Sequence, residues 1–414
     1  MDGGRITVLY TIGDICELIN GGAWKQSEYV KEGIPVVQVN NMKHGTIDTS
    51  DLKFISSSSY DHYKAHTLKE HDLIIATVGS HATQASAAGR ATIVKSFAEG
   101  MLLNQNAVAI RSKSNALDQR YLGLLGSSPK FQSYLSTAGR GAANQVRIAL
   151  SSIRQFKCDL PSVRVQQRIV ETISAYDDLI ENNRRRISLL EDAARLLYRE
   201  WFVRLRFPGH EHVRITDGVP EGWERKNICD VCETVGGGTP STKVPDYWDG
   251  NVTWLVPTDV TNNDCLILLD SERKISEKGL RESSARMVPA RTILMTSRAS
   301  VGYFALMDFD VCTNQGFINI IPYQEDLRMY LLFNLMNRVS EIRGNAKGST
   351  YPEISKGRFR EMEVVLPLRS IVDKFGKIAT EIIQQVRCLK KSNQRLQNAR
   401  DLLLPRLMNG EIAL

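Results

Sequence analysis

Cys229 and Cys232 form the most recognisable pattern of reactive residues in the chain, because their CxxC spacing is that of a zinc or redox site. A zinc site needs further ligands at a matching spacing, and no second CxxC occurs in the chain. Cys232 also repeats Cys16, which has no cysteine three residues before it. We therefore predict that these cysteines are small buried hydrophobic residues.

The glycine run Gly236–Gly238 follows a strand-like stretch and could suggest a phosphate-binding loop. Neither a GxxxxGK[ST] nor a GxGxxG pattern is present, and Pro240 favours a turn over the start of a helix. The chain also has no HExxH, no GxSxG, no amino-methyltransferase signature and no acidic nuclease cluster. We predict a protein that is not an enzyme, with no metal and no cofactor of its own.

The loops carry hydrogen-bonding side chains next to cations, which are the residue types that contact base edges and phosphates. A solvated surface would explain any single loop, but similar loops recur at matching places in both halves of the chain. We predict DNA contacts from Asn40, Asn41, Ser80, His81, Asn104, Gln105, Arg140, Asn144 and Arg147 in the first half, and from Thr258, Asp259, Ser297, Arg298, Asn314, Gln315, Lys347, Ser349 and Tyr351 in the second.

The chain is an internal duplication. "IGDICELINGG" at 12–22 returns as "ICDVCETVGGG" at 228–238, and "LLNQNAVAI" at 102–110 returns as "CTNQGFINI" at 312–320. "DLP" and "VLP" then each introduce a long helical pattern. The pattern predicts an α+β protein with two globular domains, at 1–160 and 209–366, each followed by a helical region, at 161–208 and 367–414.

The two helical regions carry apolar residues at alternating spacings of three and four, which is typical of a coiled-coil seam. Pro208 is expected to stop the first helix and Pro405 to end or kink the second. An antiparallel pair would place the domains at opposite ends of a rod; two separate core helices are the alternative. The predicted seam residues are Ile173, Ile180, Asn183, Ile187, Leu190 and Leu197 in the first helix, and Ile382, Val386, Leu389, Asn393, Leu396 and Leu403 in the second.

The bulk composition agrees with this organisation. A chain of 414 residues is longer than a single hydrophobic core usually supports, so two or more domains are expected. Its net charge of +7 suits binding to a phosphate backbone or to an acidic partner without proving either. No apolar run reaches the length of a membrane span and no signal peptide precedes Ile12, so we expect a cytoplasmic protein.

The sequence strongly resembles the specificity subunits of type I restriction–modification systems over nearly its whole length. The most specific stretches are "LPSVRVQQRIVETISAYDDLIENNRRRISLLEDAARLLYREWFVRLRFPGHE", "VPEGWERKNICDVCETVGGGTPST" and "RDLLLPRLMNGEI". The resemblance implies two target-recognition domains, each reading half of a bipartite asymmetric DNA target. It also implies an antiparallel coiled coil that sets the spacer and docks two methyltransferase subunits. These subunits would carry S-adenosylmethionine, and restriction subunits using ATP and Mg²⁺ would join them.

The chain departs from the family where each helical region opens. The family commonly has Leu-Pro followed by Glu-Gln, whereas this chain has Gln166-Gln167 in the first half and "SIVDKF" in the second. If these openings touch the methyltransferase, the two contacts are expected to differ in strength. The alternatives are a duplicated coiled-coil scaffold without DNA recognition, which the loop composition disfavours, and a fragment of a fused restriction enzyme, which the ending "MNGEIAL" disfavours.

The predicted rod leads to a testable spacing. Inserting one heptad after Leu190, and one at the matching antiparallel level of the second helix, keeps the seam in register and lengthens the rod by about 10 Å. The unspecified spacer in the DNA target should then grow by roughly three base pairs, while the half-site bases stay the same. Mapping of methylated sites in cells carrying the variant measures this, and an unchanged spacer with modification retained would contradict it.

Overall fold

The computed structural model describes residues 7–43, 45–79, 88–142, 145–348 and 351–414. It divides into two compact units, Met1–Asp178 with Gln397–Leu414, and Leu179–Leu396. Both boundaries fall inside long helices, so each unit contains a segment of each helix. Among the described residues, no helix is both long enough and apolar enough to cross a membrane.

The first unit is built on two four-stranded sheets. One sheet is antiparallel, and the apolar runs "DLIIATV" and "NAVAIR" form its two central strands. Its strands, in spatial order, are Ala91–Ile93, Leu73–Ala76, Ala107–Ser112 and Cys16–Asn20. Leu73–Ala76 is buried throughout, as continuous apolar runs predict for a central strand. The strands of the second sheet, in order, are Leu102–Leu103, Ile34–Val37, Lys53–Ile55 and Tyr29–Val30.

Shorter elements complete the first unit. The remaining strands are Val8–Thr11 with Lys157–Leu160, Met42–Lys43 with Thr46–Ile47, and Arg140–Ala142, Gln145–Arg147 and Val78–Gly79 in one three-stranded sheet. Its α-helices before the long one are Ile12–Ile15, Tyr60–Tyr63, Gln119–Gly126, Pro129–Ala138 and Leu150–Gln155.

The second unit repeats this plan. Its antiparallel sheet has the order Cys232–Gly236, Phe317–Pro322, Ile293–Thr296, Phe304–Ala305, and its second sheet the order Arg273–Ile275, Trp248–Leu255, Val311–Thr313, Met287–Val288. The other strands are Glu224–Asn227 with Glu363–Leu366, and Ile215–Thr216 with Val219–Pro220. The α-helices of this unit outside the long ones are Ile228–Val231, Pro257–Thr261, Glu277–Arg281, Leu327–Asn337, Val339–Gly344 and Lys356–Arg360.

Equivalent strands pair in equivalent registers in the two units. Leu102–Leu103 runs parallel to Ile34–Val37 in the first unit, and Val311–Thr313 runs parallel to the end of Trp248–Leu255 in the second. All other pairs in the four-stranded sheets are antiparallel. The predicted α+β duplication is confirmed at the level of sheet topology.

The two long helices are Val163–Tyr198 and Arg369–Met408. The first ends well before Pro208, in one π-helical turn at Arg199–Val203, so the predicted stop at Pro208 was wrong. The second continues through Pro405 to Met408, so Pro405 does not end it. A proline removes one backbone donor, and only the last turn of this helix follows it.

Within the second unit, the two long helices pack antiparallel. The rings of Tyr198 and Phe375 lie 6.0 Å apart, and Asn183 Nδ2 donates to Asn393 Oδ1 at 2.8 Å. Ile180, Ile187, Val386 and Asn393 are buried, whereas Asn183, Leu190, Leu197, Ile382, Leu389 and Leu396 are half-buried. Ile383 is more deeply buried than its predicted neighbour Ile382, because the helix also packs on the globular part of the unit.

Within the first unit, the end of the second helix packs on the start of the first. Leu407 is fully buried in the cluster that contains Ile169 and Ile173, and Leu403 lies against the same cluster. Arg400 occupies a position where the seam predicts an apolar residue, and its guanidinium donates to Asp177 at 2.6 Å.

Both helices also hold the loop Asn263–Ile267 of the second unit. The buried carboxylate of Glu191 accepts a hydrogen bond from the backbone N–H of Leu266 at 2.6 Å. Lys390 Nζ donates to Asn263 Oδ1 at 3.0 Å and pairs with Asp264. The globular part of this unit is therefore tied to the helix pair by hydrogen bonds as well as by apolar packing.

The Asn183–Asn393 pair should show strong energetic coupling. Asn183→Leu or Asn393→Leu alone leaves a partner amide without its hydrogen bond and should lower the free energy of unfolding by about 1–3 kcal/mol. The double variant should cost less than the sum by about 0.5–3 kcal/mol, because neither polar group remains. Urea unfolding of the wild type, the two single variants and the double variant gives the four free energies of unfolding. Leu189→Asn, on the exposed face of the same helix, is the control. Additive effects of the two single substitutions would contradict the coupling.

Candidate nucleic-acid interface

In the first unit, the glycine turn formed by Gly21 and Gly22 packs directly on the loop that contains Asn104 and Gln105, called here the Asn-Gln loop; Asn314 and Gln315 form its counterpart in the second unit. Gly22 N–H donates to the carbonyl of Leu103 at 2.7 Å, and Gln105 N–H donates back to the carbonyl of Gly22 at 2.9 Å. A Cβ at Gly21 would overlap the backbone carbonyl of Asn104. No residue with a side chain fits here without moving the loop.

The second unit repeats this contact with its own residues. Gly238 N–H donates to the carbonyl of Thr313 at 2.9 Å, and a Cβ at Gly237 would overlap the carbonyls of Thr313 and Asn314. The backbone N–H groups of Asn104 and Asn314 also make equivalent hydrogen bonds to the last residues of the neighbouring strands. Asn104 donates to the carbonyl of Val37 at 3.0 Å, and Asn314 donates to the carbonyl of Leu255 at 2.9 Å. The glycines of the repeated stretch, 12–22 and 228–238, therefore allow two backbone segments to approach closely.

A second loop joins the first in each unit. Ser297 N–H donates to the carbonyl of Gly316 at 2.7 Å, and in the first unit Thr77 N–H donates to the carbonyl of Asn106 at 2.8 Å. The third segment then bonds to the second, since Ile354 N–H donates to Ser297 at 3.0 Å and Ile148 N–H to Thr77 at 2.9 Å. Three loops that are far apart in sequence thus converge in each unit.

The convergence exposes a charged and aromatic surface in the second unit. Two of the three guanidinium nitrogens of Arg298, Nε and Nη2, donate to Glu353 Oε2, at 3.0 and 2.8 Å, and the two side chains remain 48% and 41% exposed. Lys347 is exposed, while its backbone pairs with Glu353, and Tyr351 is 72% exposed. These side chains can reach a macromolecular ligand without rearrangement of the core.

Several predicted contact residues instead have their side chains engaged inside the fold. Asn41 is buried and donates to the carbonyls of Asp48 and Asp51. Asp259 accepts backbone N–H groups from Val256 and Glu272. Asn104 and Asn314 each accept a hydrogen bond from a backbone N–H two residues later, and Ser297 is buried. These side chains stabilise loops, which is the other common use of short polar residues.

The remaining predicted residues divide by exposure and by whether the structure describes them. The side chains of Asn40, Gln105, Arg147, Thr258 and Gln315 are exposed, and Gln315 accepts a hydrogen bond from Thr239. Ser80, His81, Asn144 and Ser349 lie outside the described residues, as does the side chain of Arg140, whose backbone pairs with Arg147.

The structure adds residues that the sequence did not single out. A recess of about 340 Å³ beside the third loop is lined by Tyr303, Arg343 and Pro352 among others. The Arg343 guanidinium lies 5.7 Å from the centre of the Tyr303 ring and donates to the carbonyl of Val301 at 2.9 Å. The basic stretch "IRGNAKG" contains Arg343, which the structure places in the helix Val339–Gly344, but Tyr303 lies on a distant segment and carries no local signal.

The cysteines do not form a chemical site. Cys232 is buried, as predicted, and burial raises the pKa of its thiol to about 12, whereas Cys229 is only half-buried and departs from the prediction. In the described part of the chain, no cluster of His, Cys, Asp and Glu residues could hold a metal ion.

Comparison with known proteins gives a consistent result. The family described as "Type I restriction modification DNA specificity domain" matches residues 7–192 and again 220–398. The MjaIX specificity subunit of Methanocaldococcus jannaschii is 36% identical over 181 residues, covering 43% of this chain and 42% of that protein. The HindI specificity subunit of Haemophilus influenzae is 23% identical over 387 residues, covering 78% and 84%.

The fold is also similar to a solved structure. A crystal structure of a type I restriction–modification S subunit from M. genitalium superposes with a TM-score of 0.60 over 98% of this chain and 97% of that one. Its sequence identity is 15%, so the likeness concerns the fold alone.

The glycine approach can be tested by adding a single methyl group. Gly237→Ala should lower the free energy of unfolding by about 1–3 kcal/mol, because the Cβ must displace the Thr313–Asn314 backbone. Gly357→Ala is the matched control, since that helical glycine has open space around its Cβ position and alanine favours a helix by about 1 kcal/mol. Chemical unfolding compares the two; equal stabilities would contradict the packing requirement.

Proposed function

The chain belongs to the family of type I restriction–modification DNA specificity subunits, and we propose on this premise that each of its two target-recognition domains reads one part of a bipartite DNA target. The observation that carries the proposal is the convergence of three equivalent loops in each unit. Exposed amides and cations on such loops suit base edges and phosphates, while the sheets beneath hold the loop backbones in place.

The two readers differ in a way that suits an asymmetric target. Arg298 lies across from Glu353 in the second unit, and the equivalent pair in the first unit is Val78 and Arg147. The arginine of the pair therefore lies on the third loop in the first unit and on the second loop in the second unit. Because an arginine that bonds to a guanine does so in a fixed geometry, this exchange should direct the two domains to different bases.

The partners follow from the same proposal. Two methyltransferase subunits carrying S-adenosylmethionine would dock on the long helices, and restriction subunits using ATP with Mg²⁺ would join them in the cytoplasm. This chain would select the site and leave the chemistry to these partners, consistent with the absence of a recognisable catalytic motif.

The two helix openings differ in residue type, but the side chain at the matching position is buried in both. Gln166 is fully buried; its Oε1 accepts the N–H of Asp118 at 2.9 Å, and its Nε2 donates to the carbonyls of Ala116 and Pro161. The residue at the equivalent place after the second Leu-Pro is Val372, which is buried among apolar residues. Both side chains serve the fold, so unequal methyltransferase contacts would arise from their exposed neighbours.

Methylome mapping tests the proposal directly. Cells that express the methyltransferase with and without this chain are compared for methylated sites. We expect a bipartite motif only when the chain is present. Methylation that does not depend on the chain would favour the alternative, a coiled-coil scaffold without DNA recognition.

Arg298→Ala should weaken binding of the assembled complex to its target by about 1–3 kcal/mol and relax one half of the motif. The exposed Arg298–Glu353 ion pair contributes little to stability, so the fold should persist. Glu353→Gln is the matched control, because it breaks the same ion pair but keeps the arginine, and it should bind DNA as well as wild type or better. If both variants lost affinity equally, the ion pair rather than the arginine would be responsible.

A further inference from the structure

We propose that two cation–aromatic pairs, Lys53 with Tyr29 and Arg273 with Trp248, are sequence-independent contacts to the DNA phosphates beside each half-site. This inference rests on the proposed DNA-reading function and adds a second class of contact to it. The loops described above would select bases, and these pairs would hold the backbone.

The pair in the second unit has close geometry. The Arg273 guanidinium lies 3.8 Å from the centre of the Trp248 ring and 5.7 Å from that of Trp254. The two indoles meet edge to face at 5.1 Å. Arg273 is exposed and Trp248 half-buried, so the ring supports the cation from the protein side and leaves the other side open to solvent.

The first unit has the same arrangement at the same place in the sheet. Lys53 Nζ lies 5.0 Å from the centre of the Tyr29 ring. Tyr29 pairs with Ile55 and Trp248 with Ile275, while Lys53 and Arg273 each lie two residues earlier on these partner strands. Both residue types differ between the units, yet a cation lies on an aromatic ring at the same register in each.

Each pair is connected to the glycine turn that packs on the Asn-Gln loop. Trp248 Nε1 donates to the carbonyl of Ser241 at 3.1 Å, and Trp254 Nε1 donates to that of Gly238 at 2.9 Å. In the first unit, Trp24 packs on Gly22 and its Nε1 donates to the Tyr29 hydroxyl at 2.8 Å. The cations are thereby held at a set position relative to the base-reading loops.

The charges of these cations are available to a ligand. Among the described residues, neither Lys53 nor Arg273 has a carboxylate within 4.0 Å, unlike Arg298 with Glu353 or Lys390 with Asp264. A cation on an aromatic face is oriented without being neutralised. A phosphate is the expected ligand, because lysine replaces arginine in the other unit, and lysine binds phosphate as a point charge without the fork that reads guanine.

The test uses the complex assembled with its methyltransferase subunits. Lys53→Met and Arg273→Met remove the charge and keep a long apolar stem on the ring, so both variants should fold. Each should reduce the slope of log affinity against log salt concentration by about 0.9, and the double variant by about 1.8, equally for specific and nonspecific duplexes. Arg273→Lys should keep the wild-type slope, and the methylated motif should stay the same in all of them.

Three outcomes would overturn the inference. A slope unchanged in the double variant would show that the pairs do not contact phosphates, and an altered motif would show that they read bases. A slope reduced equally by Lys130→Met, whose cation is paired with Asp159 outside these pairs, would show that only net charge matters. If the wild-type complex itself showed no dependence of its motif on this chain, the proposed function would fail, which is a separate result.

Discussion

The close approach of a glycine to a backbone carbonyl is the constraint on which the candidate interface of each unit depends. At Gly21 and at Gly237 there is no room for a Cβ atom beside the Asn-Gln loop. That contact connects the two four-stranded sheets of each unit, because the glycine turn follows a strand of one sheet and the loop follows a strand of the other. The second loop is then hydrogen-bonded to the first, and the third loop to the second. A single steric requirement thus positions three segments that are far apart in sequence.

Long-range repetition and helical periodicity made much of this architecture predictable from the sequence. The repeat of "IGDICELINGG" at 228–238 identified the duplication, and the spacing of Ile173, Ile180 and Ile187 identified a helical seam. Both signals can be read from residue order alone, without knowledge of tertiary contacts. Helix ends were less predictable: Pro208 and Pro405 looked like stops, but the first helix ends in a π-helical turn and the second tolerates a proline near its end.

The candidate interface was predictable only in outline. Asn41, Asn104 and Asp259 have the residue types of DNA contacts, but the same groups serve equally well as acceptors and donors for loop backbone, and the sequence does not separate these uses. Arg298 and Lys347 could be singled out because each lies in or beside a loop containing glycine, serine or asparagine of a kind that both halves of the chain repeat. The pairs Lys53–Tyr29 and Arg273–Trp248 could not, since each joins residues of different strands whose register only the folded sheet reveals.

The core of the first unit contains residues from the far end of the chain. Leu407 is fully buried with Ile12, Ile169 and Ile173, and Leu403, Leu404 and Met408 pack around it. The unit therefore cannot complete its core when its own contiguous stretch leaves the ribosome; it must wait for the whole second unit to be synthesised. During that interval its apolar seam is exposed to solvent, because Leu403, Leu404, Leu407 and Met408, which cover it, are translated only after the second unit.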